Sequence, residues 1–177
     1  MSVKQVLKFD PINCVGCRVC EIICSMRHTG TCNPARARLK IEGEEDTLIS
    51  SVRVCRRCKK APCIAACPEF ALGKDPETGV IILNQELCIG CGECVEACPF
   101  GAMFLDPLTE MPISCDLCGG DPGCVKFCST SAIQLKPVGT PMDPIYQTRL
   151  AEAFANPVIQ ASVYKEEEGY QPGPTKG

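Results

Sequence analysis

Cys88-Ile89-Gly90-Cys91-Gly92-Glu93-Cys94-Val95-Glu96-Ala97-Cys98-Pro99 reads C-x2-C-x2-C-x3-C-P. Three thiolates within seven residues can wrap three corners of one cubane iron-sulfur cluster, which is the chemistry this spacing serves. The fourth, carried onward by a short helix, points away from that cluster and must ligate another. One run is therefore incomplete without a second that returns the missing ligand.

The chain has four such runs: Cys14, Cys17, Cys20, Cys24; Cys55, Cys58, Cys63, Cys67; Cys88, Cys91, Cys94, Cys98; and Cys115, Cys118, Cys124, Cys128. The second and fourth widen one gap, before Cys63 and Cys124, but keep the opening C-x2-C and the closing C-x3-C. All but one of the 17 cysteines are used, so four thiolates per cluster give four 4Fe-4S clusters with no ligand missing. Cys32, the one left over, is expected to be a small buried hydrophobe.

Competing uses of so many cysteines fit less well. Structural zinc favours two C-x2-C knuckles separated by a longer loop, and three cysteines at x2 spacing crowd one tetrahedral ion. A disulfide framework is at odds with the odd count and with the lack of a secretory signal before Cys14. Cleavage of S-adenosylmethionine calls for a C-x3-C-x2-C triplet, and no such triplet occurs.

At 177 residues, with 6 Phe, 3 Tyr and no Trp, the chain has a thin conventional core. With 15 Gly and 15 Pro it depends on its clusters for cohesion, so metal binding and folding should be one event. Free thiols in this number imply a reducing compartment. Neither a twin-arginine or apolar leader nor a membrane-length run is present in the sequence, so a cytoplasmic protein without a membrane span is expected. The formal charge of -3 counts thiols as neutral, and each oxidised cluster with its four thiolates adds roughly -2. So acidic a protein is a poor partner for nucleic acid.

Val3 to Phe9 alternates as a strand, and Asp10-Pro11 turns the chain into the first run. A helical turn or two is expected between Cys17 and Met26, a strand from Arg36 to Glu42, an acidic turn at Glu44-Glu45-Asp46 and a strand from Leu48 to Val54. Cys67-Pro68-Glu69-Phe70-Ala71, Cys98-Pro99-Phe100-Gly101-Ala102 and Cys128-Ser129-Thr130-Ser131-Ala132 share one rhythm, a tight turn into a strand. The turns at Asp75-Pro76 and Asp106-Pro107 each propose a small hairpin between runs. The expected class is α+β, a tandem bacterial-ferredoxin-like fold of short strands and helices over residues 1–136, two interleaved units around four clusters. Residues 137–177 form a second part, with a helix over 144–156 and an extended, partner-docking arm over 157–177.

The four runs, in this order, resemble the four-cluster ferredoxin-like subunits of multi-subunit oxidoreductases. These include the iron-sulfur subunits of dimethyl sulfoxide reductase and formate dehydrogenase type and the electron-transfer partner of carbon monoxide dehydrogenase. The resemblance spans residues 3 to about 136, and is strongest to short members at Asn13-Cys14-Val15-Gly16-Cys17-Arg18-Val19-Cys20-Glu21 and Cys115-Asp116-Leu117-Cys118-Gly119-Gly120-Asp121-Pro122-Gly123-Cys124. It implies a cluster wire with no catalytic residue of its own. It also implies the pairing of runs: Cys14, Cys17 and Cys20 with Cys128; Cys115, Cys118 and Cys124 with Cys24; Cys55, Cys58 and Cys63 with Cys98; Cys88, Cys91 and Cys94 with Cys67. Spacing alone requires an exchange of ligands but does not choose partners.

The compact size, the Asn33-Pro34-Ala35-Arg36 segment and the long C-terminal arm look like the small subunit of bacterial tungsten aldehyde oxidoreductases. Similarity to the carbon monoxide dehydrogenase partner stands beside it. The first resemblance implies a large tungsten or molybdenum pterin chain as electron source and a flavin/NAD subunit as outlet. The second implies a carbon monoxide dehydrogenase or formate dehydrogenase feeding a hydrogenase. Self-association into a longer wire is a further expectation, attached to the arm.

Beyond the ligands, Arg53, Arg56, Arg57, Lys59 and Lys60 form a basic patch around Cys55 and Cys58, expected to compensate cluster charge and to steer an acidic partner or a cofactor phosphate. His28, the single histidine, is expected at a surface or interface. Gly16, Gly90 and Gly92 are expected where a side chain would obstruct the approach of an amide to cluster sulfur.

Overall fold

The computed structural model describes residues 4–43 and 50–140. The acidic turn at 44–46, the helix over 144–156 and the arm over 157–177 lie outside the described residues.

Chain order is β1 (Gln5–Phe9), α1 (Val19–Thr29), a 3-10 turn (Pro34–Arg36), β2 (Leu39–Gly43), β3 (Ser50–Val54) and α2 (Pro62–Ala65). There follow β4 (Leu72–Lys74), β5 (Ile81–Leu83), α3 (Glu93–Glu96), β6 (Phe104–Leu105), β7 (Pro112–Ile113), a second 3-10 turn (Leu117–Gly120), α4 (Gly123–Lys126) and β8 (Ile133–Pro137). The strands form four antiparallel pairs. Three are local hairpins, β2–β3, β4–β5 and β6–β7, while β1 pairs with β8 in the register Leu7 to Leu135. The first and last strands thus close an outer unit around an inner one. Helix pairing follows the same nesting, α1 against α4 and α2 against α3.

Each unit has its own core. Leu7, Leu39, Ile41, Val54, Leu117 and Ile133 surround Cys20, Cys24, Cys115 and Cys124 in the outer unit. Ala61, Leu72, Ile81 and Met103 surround Cys63 and Cys94 in the inner one. Cys55 packs against both.

α1 is longer than the turn or two expected. It runs on through the fourth cysteine of its run to Thr29, whereas α2, α3 and α4 end two residues before Cys67, Cys98 and Cys128. Gly30 ends α1 in the left-handed conformation (φ 68°), its amide bonding to the Met26 carbonyl at 2.9 Å. Two buried polar residues on α1 hold the next segment. Glu21 accepts the Ile41 amide at 2.6 Å, and the Ser25 hydroxyl accepts the Asn33 amide at 3.1 Å. The strand expected from Arg36 starts at Leu39 instead, because Asn33 caps a 3-10 turn through a 3.1 Å bond from the Ala35 amide.

No helix among the described residues is long and apolar enough to cross a membrane.

Candidate metal centres

Each run opens with the same backbone device. The residue before the second cysteine is left-handed in all four: Gly16 at φ 67°, Arg57 at 54°, Gly90 at 69° and Leu117 at 58°. Such residues turn successive N–H groups into a concavity that suits an anionic occupant. Among protein atoms, an added Cβ would meet nothing nearer than 3.8 Å at Gly16, 3.5 Å at Gly90 and 4.0 Å at Gly92. The left-handed backbone conformation by itself favours glycine there. At Arg57 and Leu117 larger residues bear the strain.

The third and fourth cysteines of every run are four residues apart: α1 carries both Cys20 and Cys24, whereas α2, α3 and α4 carry only the third cysteine and the fourth follows two residues beyond the helix. After Cys67, Cys98 and Cys128 the chain reverses through left-handed Phe70, Gly101 and Ser131. The next amides then donate to the sulfurs behind them, Ala71 to Cys67 Sγ and Ala102 to Cys98 Sγ, both at 3.3 Å. Cys24, inside the longer helix, cannot be served this way. Its Sγ accepts the amide of Arg38, fourteen residues on, at 3.2 Å.

Three concave sites collect cysteines across the runs. Cys55, Cys58, Cys63 and Cys98 line one, Cys88, Cys91, Cys94 and Cys67 another, and Cys115, Cys118, Cys124 and Cys24 the third. Each therefore receives three sulfurs from one run and the fourth from a different run. Cys14, Cys17 and Cys20 lie together, close enough for their charges to interact. Cys128 is brought towards them through the backbone, where β1 pairs with β8 and the Asp10 amide bonds to the Ala132 carbonyl at 2.8 Å.

Burial raises most of these thiols. Cys20 and Cys115 are pushed up to about 12 and Cys94 to about 11, while Cys124 rises further still. Cys128 goes the other way. Burial acts to raise it, but the amides of Ile133, Ala132 and Thr130 and the Thr130 hydroxyl together leave it below the ordinary thiol value. Four-sulfur, apolar-walled sites ringed by amide donors fit 4Fe-4S clusters, whose iron replaces the protons these thiols otherwise keep.

The other expected residues are partly redistributed. His28 is half-buried, its side chain 14% exposed, with Nε2 3.5 Å from Cys118 Sγ and 3.4 Å from Asp116 Oδ1. A lone histidine between two runs gave no sign of this in the sequence. Cys32 is exposed rather than buried, because it lies in the loop after Gly30. The basic patch is divided. Arg57 is buried, Arg53 pairs with Glu42 at 2.6 Å, Arg56 stacks over Phe100, and Lys59 and Lys60 stay exposed.

Residues 47–138 match the 4Fe-4S dicluster domain family, and residues 13–27 match a 4Fe-4S binding domain. The polyferredoxin-like subunit of aliphatic sulfonate oxidoreductase from Pyrococcus furiosus is 40% identical, over 78% of this chain and 80% of that one. The thiosulfate reductase electron transfer subunit of Salmonella typhi is 33% identical over 74% of each chain. A subunit of the polysulfide reductase of Wolinella succinogenes is 28% identical, over 89% of this protein and 88% of that subunit. With its small, ferredoxin-like arrangement of short strands and helices, the chain belongs to the 4Fe-4S dicluster family of iron-sulfur electron-transfer subunits.

Proposed function

We propose that this chain holds four 4Fe-4S clusters and relays electrons between a large catalytic oxidoreductase chain and a second redox partner. The ligand sets are Cys14, Cys17, Cys20, Cys128; Cys24, Cys115, Cys118, Cys124; Cys55, Cys58, Cys63, Cys98; and Cys67, Cys88, Cys91, Cys94. Bound there, each cluster supplies reversible one-electron chemistry. The chain's own residues hold the sulfurs, point amides at them and keep water away.

The observation that carries the reading is the pattern of exposure along the sets. The runs on α1 and α4 join the first set to the second, those on α2 and α3 join the third to the fourth, and Cys55, which packs against both cores, links the second to the third. The two inner sets contain only buried or half-buried cysteines, whereas each outer set has one exposed cysteine, Cys17 at one end and Cys91 at the other. An insulated middle with two accessible ends is what a relay between two partners requires.

The large partner is a tungsten or molybdenum pterin enzyme, of which aldehyde oxidoreductase is one candidate, and the other partner is a flavin/NAD subunit. The sulfonate oxidoreductase, thiosulfate reductase and polysulfide reductase subunits among the relatives support a catalytic oxidoreductase chain as the partner. A cytoplasmic location follows from the thiol chemistry.

Anaerobic affinity purification with metal analysis tests this. About sixteen irons per chain, with tungsten or molybdenum in a co-purifying large chain, is the expected result. Nickel in the partner would reassign it to a carbon monoxide dehydrogenase or hydrogenase system, and a colourless zinc protein would overturn the reading.

A further inference from the structure

Arg57 carries a full positive charge in a place that offers it no carboxylate partner. The residue is 8% exposed. Among the described residues, the arginines in ion pairs are Arg27, Arg36, Arg38 and Arg53, and Arg57 is not one of them. Its Nη1 donates to the Gln5 carbonyl, a neutral acceptor, and its buried Nε has no hydrogen-bond partner. A dry cation left this way is costly unless negative charge stands nearby.

The anchoring of this side chain shows which charges those are. Its main chain belongs to the inner unit: it sits between Cys55 and Cys58, and Lys74 Nζ bonds to the Cys58 carbonyl at 2.6 Å and the Arg57 carbonyl at 3.5 Å. Its guanidinium reaches β1 of the outer unit at Gln5. Cys55, its neighbour in the run, packs against the cores of both units. Leu7, two residues along β1 from Gln5, shares the outer core with Cys115, while Cys55 of the other ligand set stands two residues away in the run that carries Arg57. Asp116, next to Cys115, is already engaged by Arg38 at 2.5 Å and by the Cys118 amide at 2.8 Å.

We propose that Arg57 is a shared counter-charge between two cluster sites, Cys55/Cys58/Cys63/Cys98 of the inner unit and Cys24/Cys115/Cys118/Cys124 of the outer. It raises the reduction potential of both and keeps them matched where electrons cross from one unit to the other. One-electron reduction of either cluster adds one negative charge and breaks no bond, so a fixed cation between them favours both reductions. The exposed Arg56, Lys59 and Lys60 act only through water and are screened by salt. This rests on the reading that the four sets hold clusters.

The experiment is a dithionite titration of the full chain under nitrogen, followed by electron paramagnetic resonance, for wild type, Arg57→Gln, Arg57→Lys and the triple variant R56Q/K59Q/K60Q. Arg57→Gln is expected to keep its iron and to lower two of four midpoint potentials, leaving the other two in place, with the same shift in 1 M salt. Arg57→Lys is expected to restore both. The triple variant is expected to shift less, and to lose that shift in salt. If Arg57→Gln moves no potential, or only one, the shared role is wrong. If Arg57→Gln fails to assemble, Arg57→Lys decides: two wild-type potentials support the role, and two lowered ones overturn it. Wild type without iron would instead defeat the functional reading itself.

Discussion

The Arg36 guanidinium and the Asp106 carboxylate meet in a nearly dry ion pair across seventy residues of sequence: Nε lies 2.9 and 3.1 Å from the two carboxylate oxygens, and Nη2 lies 2.8 Å from Oδ2. Asp106 also accepts the amides of Leu108 and Thr109, at 2.9 and 3.3 Å, so one carboxylate shapes the β6–β7 turn and ties it to the outer unit. Asp106→Ala strands an arginine and two amides at once. It is expected to destabilise the holoprotein by about 3 kcal/mol, read from thermal unfolding under nitrogen, and Asp106→Asn by less.

The same pair gives a pH dependence with a definite sign. Burial acts to raise the Asp106 carboxyl, but the Arg36 guanidinium and the two turn amides outweigh it and hold the group below its ordinary value. A carboxyl depressed in the folded state stabilises above its unfolded pKa, and that contribution is lost as pH falls through the folded value. The gap in melting temperature between wild type and Asp106→Asn should stay constant from about pH 8 to 5 and shrink below about pH 4. A gap that widens in acid would contradict this.

At Gly123 the packing of α1 on α4 leaves no room. An added Cβ would stand 2.7 Å from Ile23 Cγ2, a branched methyl that cannot swing away. Gly123→Ala should cost about 1 to 3 kcal/mol. In an Ile23→Ala background the same substitution should cost clearly less, which a double-mutant cycle of unfolding free energies measures.

His28 should tune a single cluster. Burial, and then the charge of Arg38, hold its pKa below the ordinary histidine value, so near neutral pH the ring is uncharged and can still offer an N–H to Cys118 Sγ. Hydrogen bonds to ligand sulfur raise cluster potentials. His28→Leu should lower one midpoint potential of the four and His28→Gln should recover part of it. Unchanged potentials in His28→Leu would remove the residue from that role.

Exposed Cys32 should be dispensable. Cys32→Ser is expected to keep full iron content, whereas Cys24→Ser should lose iron from the site that also uses Cys115, Cys118 and Cys124. Equal iron loss in both variants would mean that the ligand sets are drawn wrongly.

Residue order alone set the composition of the sites and their local scaffold. Cysteine spacing is a local property, so the four runs, the four-residue offset between the last two cysteines of each and the turns after Cys67, Cys98 and Cys128 were legible in the sequence. What distance along the chain conceals came from folding. The β1–β8 closure makes one unit enclose the other, and it carries Arg57 to the junction between them. It brings His28 within reach of Cys118, ninety residues away, and Arg36 to Asp106. In the sequence Arg57 is one more cation in a basic patch. Only the folding of the outer unit over it, which removes water and sets its guanidinium against β1, distinguishes it from its exposed neighbours.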